Sequence, residues 1–133
     1  MVDMNVAGLK ILLIDDAAII LHRLQAILAE LEQVSSEAVL SAEIALGMME
    51  GFNPDVMVLD ISMPGMNVIE MLKKMGEAKT INPVIIMLSD NSSGTYRDEC
   101  MRLGAHYFLD KSRDFLIITS IIENIQKSKL LLT

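Results

Sequence analysis

The chain is poor in cysteine: Cys100 is the one thiol in 133 residues, and aromatic residues make up only 4%. A lone thiol excludes an internal disulfide and a thiolate metal cage, and it fits a reducing compartment. Long apolar runs are missing too. The longest, Ala17–Leu21 and Val84–Leu88, hold five residues each, against the ~20 that a bilayer span needs. The opening Met-Val-Asp-Met-Asn lacks the basic region and apolar stretch of a secretory signal. Neither membrane span nor secretion is expected, and a cytoplasmic location is. Basic clusters are absent as well, since 11 Lys+Arg face 18 Asp+Glu for a net charge of −7. That surface has the wrong sign for gripping nucleic acid. The acidity as a whole needs no more than a solubility role.

What is present is a length typical of one domain and an apolar fraction of 52%, enough for a core without a disulfide or metal staple. Short apolar runs, Leu9–Ile14, Val34–Ala38, Val56–Leu59, Val84–Leu88 and Tyr107–Leu109, read as buried strands. Between and after them the helical spacing predicts helices over Ala17–Gln33, Ser41–Gly51, Val68–Gly76, Ser93–Leu103 and Phe115–Lys129. Asn53-Pro54, Met63-Pro64-Gly65 and Asn82-Pro83 mark boundaries. The pattern is β-α repeated five times. It predicts an α/β fold: a five-stranded parallel sheet with helices on both faces, in the flavodoxin-like order 2-1-3-4-5. Residues 1–8 read as an N-terminal arm, 9–128 as the domain and 129–133 as a C-terminal tail.

In such a sheet ligands bind outside the carboxyl ends of the strands, where the strand order reverses. The first strand ends in Asp15-Asp16, the third in Asp60, the fourth in Ser89 and the fifth in Asp110-Lys111. Clustered carboxylates repel; two unit charges ~5 Å apart cost roughly 3 kcal/mol at an effective dielectric of 20. Either they take up protons, or a hard cation such as Mg²⁺ sits among them. Lys111 offers a point charge and Ser89 a hydroxyl to an anionic ligand, while Asp60 is placed to act as nucleophile. A simpler role stands beside this one, because Asp16 before its helix, like Ser41 before the next, is also a fitting N-cap.

Four segments together carry a family resemblance: Leu-Ile-Asp-Asp at 13–16, Asp-Val-Met-Val-Leu-Asp-Ile-Ser-Met-Pro-Gly-Met at 55–66, Pro-Val-Ile-Ile-Met-Leu-Ser at 83–89 and Gly-Ala-His-Tyr-Phe-Leu-Asp-Lys at 104–111. From residue 9 to about 128 the chain resembles the receiver domain of bacterial two-component response regulators, and single-domain, chemotaxis-regulator-like receivers in particular. The resemblance implies that Asp60 accepts a phosphoryl group from a histidine kinase or phosphotransfer protein. It implies a Mg²⁺ ion held by Asp15, Asp16, Asp60 and the Ser62 carbonyl, with Ser89 and Lys111 on the phosphoryl oxygens. Phe108 matches the aromatic residue whose rotation accompanies activation. A downstream target or a second copy would meet the face made by the fourth helix, fifth strand and fifth helix. No turnover of an external substrate is implied. Two other readings stand: a pseudo-receiver working without phosphorylation, and a small Mg²⁺-dependent phosphatase with an aspartyl nucleophile.

Three positions depart from the family pattern. Ser112 stands where most receivers have proline after the lysine, often behind a cis bond. Asp90 stands where a small residue is usual, facing either the pocket or solvent. Asn67-Val68 replaces a common Asp-Gly. Among the other residues, Met48, Met49, Met71 and Met75 read as core filler, Cys100 as a buried small hydrophobe, His106 as structural and His22 as solvent-facing. Phe115, Leu116, Ile118, Ile121, Ile122 and Ile125 form an apolar stripe, and Ile117 and Leu130–Leu132 exceed what one monomer needs to cover.

Overall fold

The computed structural model describes residues 7–61, 68–78, 81–90 and 94–131. Along the chain run β1 (Leu9–Ile14), α1 (Ala18–Leu28), β2 (Val34–Val39), α2 (Ala42–Phe52), β3 (Val56–Asp60), α3 (Val68–Ala78), β4 (Val84–Ser89), α4 (Gly94–Arg102), β5 (Tyr107–Asp110) and α5 (Ile117–Leu131). The strands form a parallel sheet in the order β2-β1-β3-β4-β5, as the alternation of short apolar runs and helices predicts.

Strand side chains point alternately to the two faces, and each face has its own core. Leu9, Ile11 and Leu13 of β1, Val56 and Val58 of β3, and Ile86 and Leu88 of β4 meet Leu21, Leu24 and Leu28 of α1 and Ile118, Ile121 and Ile122 of α5. Leu12, Ile14, Met57, Leu59, Ile85 and Met87 meet Ala42, Ala45 and Met49 of α2, Val68, Met71, Leu72 and Met75 of α3, and Cys100 of α4. A strand buried on both faces needs apolar residues at nearly every position, which is why β3 and β4 read as apolar runs up to their polar ends and β1 is interrupted only by the half-buried Lys10. Each fully buried Leu or Ile contributes roughly 1.5–3 kcal/mol. Met49, Met71 and Met75 are core residues and Met48 packs partly against them.

The ends of the helices have local causes. Ser41 caps α2, its hydroxyl accepting from the Ile44 N–H at 3.1 Å, and Asn53 closes that helix in the left-handed region at φ 50°. Gly104, at φ 114°, turns the chain from α4 into β5, where a side chain would be strained. The last helix starts two residues later than the sequence pattern predicts. Asp114 and Phe115 form a turn, with the Ile117 N–H donating to the Asp114 carbonyl at 2.9 Å. Phe115 is buried in that turn, but Leu116 is 73% exposed, so the apolar stripe is narrower than its spacing suggests.

Candidate functional site

Register and pleat bring the polar strand ends together. Leu59 of β3 lies beside Ile14 of β1, so Asp60 is level with Asp15, one residue past each pair. Ser89 of β4 lies beside Asp110 of β5, and the Lys111 N–H donates to the Ser89 carbonyl at 2.9 Å. By alternation Asp15, Asp60 and Lys111 share the side of the sheet that α1 and α5 cover. The Lys111 ammonium lies 2.9 Å from Asp15 Oδ2 and 3.0 Å from Asp60 Oδ1. Asp15 and Asp60 are 1% and 2% exposed, and the Lys111 side chain 9%. Asp16 is exposed at the mouth of the cluster. One carboxylate oxygen from each of Asp15, Asp16 and Asp60 lies within 4.8 Å of the others.

The N-cap alternative for Asp16 does not hold, because α1 begins at the N-cap Ala17 with no side-chain cap. Asp15 ties down the turn instead, its Oδ1 accepting from the Ala17 N–H at 2.8 Å. Its Oδ2 is buried and, apart from the Lys111 ammonium, meets no hydrogen-bond donor among the described residues. Burial pushes the Asp15 pKa above the usual carboxylate value, against the Ala17 and Lys111 hydrogen bonds that favour its charge. Burial also works against the Lys111 charge, but hydrogen bonds and attraction from Asp15 and Asp60 outweigh it and raise that pKa. Asp15 and Asp60 thus share one ammonium, and Asp16 is a third acid beside them. An oxygen-only set of this kind, with a buried lone pair short of donors, fits a hard divalent cation.

Ser89 is buried at the end of β4, and Phe108 is half-buried on the side of the sheet that α2, α3 and α4 cover, packed against that core. Ser62 and Asn67 lie outside the described residues. Asp110, a strand-end acid in the sequence, does not join the cluster. Its Oδ1 accepts from the Ser112 N–H, the Ser112 hydroxyl and the Arg113 N–H at 2.9, 2.6 and 3.0 Å. The Ser112 hydrogen bond is the main cause that lowers its pKa. No described peptide bond is cis, so Lys111–Ser112 is trans, and Lys111 still reaches both acids. Asp90 is exposed and, with Ala17, Ile20, Arg23, Lys111 and Ser112, lines a groove of about 320 Å³ beside the cluster. Arg23 stands over the Phe115 ring at 4.7 Å. That stacking was not legible in the sequence, because the two residues belong to different helical segments. His106 Nδ1 accepts from the Ile85 N–H at 3.0 Å, a structural role; His22 is exposed and Cys100 buried.

Fold and site together define a doubly wound α/β domain with an acidic cluster at the switch point of its sheet. The response regulator receiver domain model matches residues 11–123, and the chain belongs to that family. It is 30% identical over 123 residues to a protein-glutamate methylesterase/protein-glutamine glutaminase of Treponema denticola, which covers 90% of this chain and 33% of that protein. The chain spans about a third of the length of the curated relatives it matches. Among solved structures it is similar to the N-terminal domain of an uncharacterized Wolinella succinogenes protein, with TM-score 0.84, 26% identity and coverage of 95% of this chain and 100% of that one. It is also similar to the response regulator domain of Thermotoga maritima CheB, with TM-score 0.71, 25% identity and coverage of 80% and 81%. No described helix is long and apolar enough to cross a membrane.

Proposed function

We propose that the domain accepts a phosphoryl group on Asp60 from a phosphohistidine of a histidine kinase or phosphotransfer protein. The observation that carries this reading is the buried Lys111 ammonium, 2.9 and 3.0 Å from Asp15 and Asp60, inside a cluster whose acids outnumber it. An Asp60 oxygen forms a bond to phosphorus as the N–P bond breaks, and the imidazole leaves with the electron pair. Lys111 holds one phosphoryl oxygen and the Ser89 hydroxyl donates to another. Asp15, Asp16 and Asp60 would hold Mg²⁺, together with the Ser62 carbonyl; bound there, the ion neutralises acids and phosphoryl charge alike. The aspartyl phosphate draws Ser89 inward, and Phe108 on the neighbouring strand moves with it, so that a local charge biases a two-state element.

The readout face is formed by α4, β5 and α5, and it meets a downstream protein or a second copy. Its support is the exposure of Tyr107 and Ile117, large side chains open on that side. The domain itself turns over no external substrate. The methylesterase activity in the relatives' names belongs to proteins about three times as long as this chain.

The test is intact-mass measurement after incubation with phosphoramidate and Mg²⁺. A gain of about 80 Da, one phosphoryl group, absent in Asp60→Asn, is the expected outcome. No adduct together with no beryllofluoride binding overturns it in favour of a phosphorylation-independent interaction module. Sustained hydrolysis of an added phosphomonoester overturns it in favour of an aspartyl phosphatase.

A further inference from the structure

We infer that Ser112, acting with Asp110 and Asp114, is the positioning residue of Lys111. The inference rests on the reading of Lys111 as the group that meets the phosphoryl anion. A lysine ammonium on its four-carbon stem must be held between two acids, although its main chain lies in an exposed turn. The turn is tied on both sides of Lys111. Before it, the Asp110 N–H donates to Asp114 Oδ2 at 2.9 Å, and the Asp114 N–H returns to the Asp110 carbonyl at 2.9 Å. At Lys111 itself, the N–H donates to the Ser89 carbonyl at 2.9 Å. After it, Ser112 gives both its N–H and its hydroxyl to Asp110 Oδ1.

Those last two bonds are what a proline at this position could not supply, since it has neither group. Serine here is therefore a working part and not a tolerated exchange. The arrangement also keeps Asp110 out of the acid cluster. Its carboxylate takes three donors within the turn, and Asp114 takes the Arg113 guanidinium at 3.2 and 3.4 Å. Neither acid is left to compete for the Lys111 ammonium. Charge-assisted bonds of this kind are the strong ones, so the turn is stiff although it faces water.

The experiment measures acetylation of individual lysines under limiting acetic anhydride by peptide mass spectrometry, with the exposed Lys74 as internal reference. The variants are Ser112→Ala, Ser112→Thr and Asp110→Ala, and phosphoramidate phosphorylation of Asp60 is followed in parallel. In Ser112→Ala and Asp110→Ala, Lys111 labelling rises about fivefold, the worth of one lost hydrogen bond, with Lys74 unchanged. The initial rate of Asp60 phosphorylation falls by a similar factor. Ser112→Thr, which keeps both donors, stays near wild type. Unchanged Lys111 labelling in both Ser112→Ala and Asp110→Ala overturns the inference, as does an equal rise at Lys74, which would mark general loosening. If the wild type takes no phosphoryl group, the proposed function fails, and the labelling still decides this inference on its own.

Discussion

Strand β3 is bracketed by two aspartates, each paired with a lysine from late in the chain, and the two ends of the sheet use them differently. At the amino end, Asp55 Oδ2 accepts from the Lys10 N–H at 2.8 Å and Oδ1 meets Lys129 Nζ at 3.3 Å, while Lys129 also donates to the Gly8 carbonyl at 2.9 Å. One acid meets one base, and both are partly exposed. Gln126 adds bonds to the Ala7 and Glu32 carbonyls, so that end of the molecule is a fastening between α5 and the chain start. At the carboxyl end, Asp15 and Asp60 share Lys111 far deeper in the protein, with the exposed Asp16 as a third acid beside them. An Asp–Lys pair by itself signals nothing. Surplus buried charge of one sign is what marks a binding site.

The sharpest way to break that contrast is to remove each lysine. Lys111→Met leaves buried acids without their cation, and unfolding measured in chelator at neutral pH should lose about 3 kcal/mol. Lys129→Met removes a half-exposed pair and should lose under ~1 kcal/mol. Equal losses would erase the distinction. A smaller effect concerns pH. The folded-state pKa of Asp15 is raised, mainly by burial. Its contribution to stability is therefore fully present below the unfolded value near 3.8 and is lost as pH rises through the higher folded value. Chelated wild type should lose stability over that window relative to Asp15→Asn, by calorimetry at several pH values. Mg²⁺ should flatten the difference. Least affected of all should be Asp55→Asn, with a change below ~0.5 kcal/mol and unaltered Mg²⁺ affinity by calorimetric titration.

The cluster was legible in the sequence because a parallel sheet puts every strand end on one rim, and Asp15, Asp16, Asp60, Ser89 and Lys111 all fall there. What strand ends cannot tell is which way a side chain turns. Asp110 occupies the same rim by position, yet its own loop offers three nearer donors and captures it. Asp16 and Ser41 carry the same capping signal, but only Ser41 caps; the N-cap of α1 falls one residue later, at Ala17, whose N–H Asp15 ties down. The fastening at Asp55 was invisible because its partners lie 45 and 74 residues away, and no local pattern encodes such a meeting. Most helix ends shifted by no more than two residues where turn bonds, as at Asp114, take over from apolar periodicity, but α1 stops at Leu28, five residues before the predicted Gln33, where the Glu30 and Leu31 N–H groups bond back to the Ile27 and Leu28 carbonyls in turns.

The most direct measurement is thermal unfolding of the wild-type chain across a Mg²⁺ titration, beginning in chelator. Three clustered acids with one ammonium among them predict a saturable rise, reaching about 1.4 kcal/mol, or ~4 °C, at ten times the dissociation constant. The same titration should be flat in Asp60→Asn. A wild-type midpoint that Mg²⁺ leaves unmoved, or an equal rise in Asp60→Asn, would contradict the account.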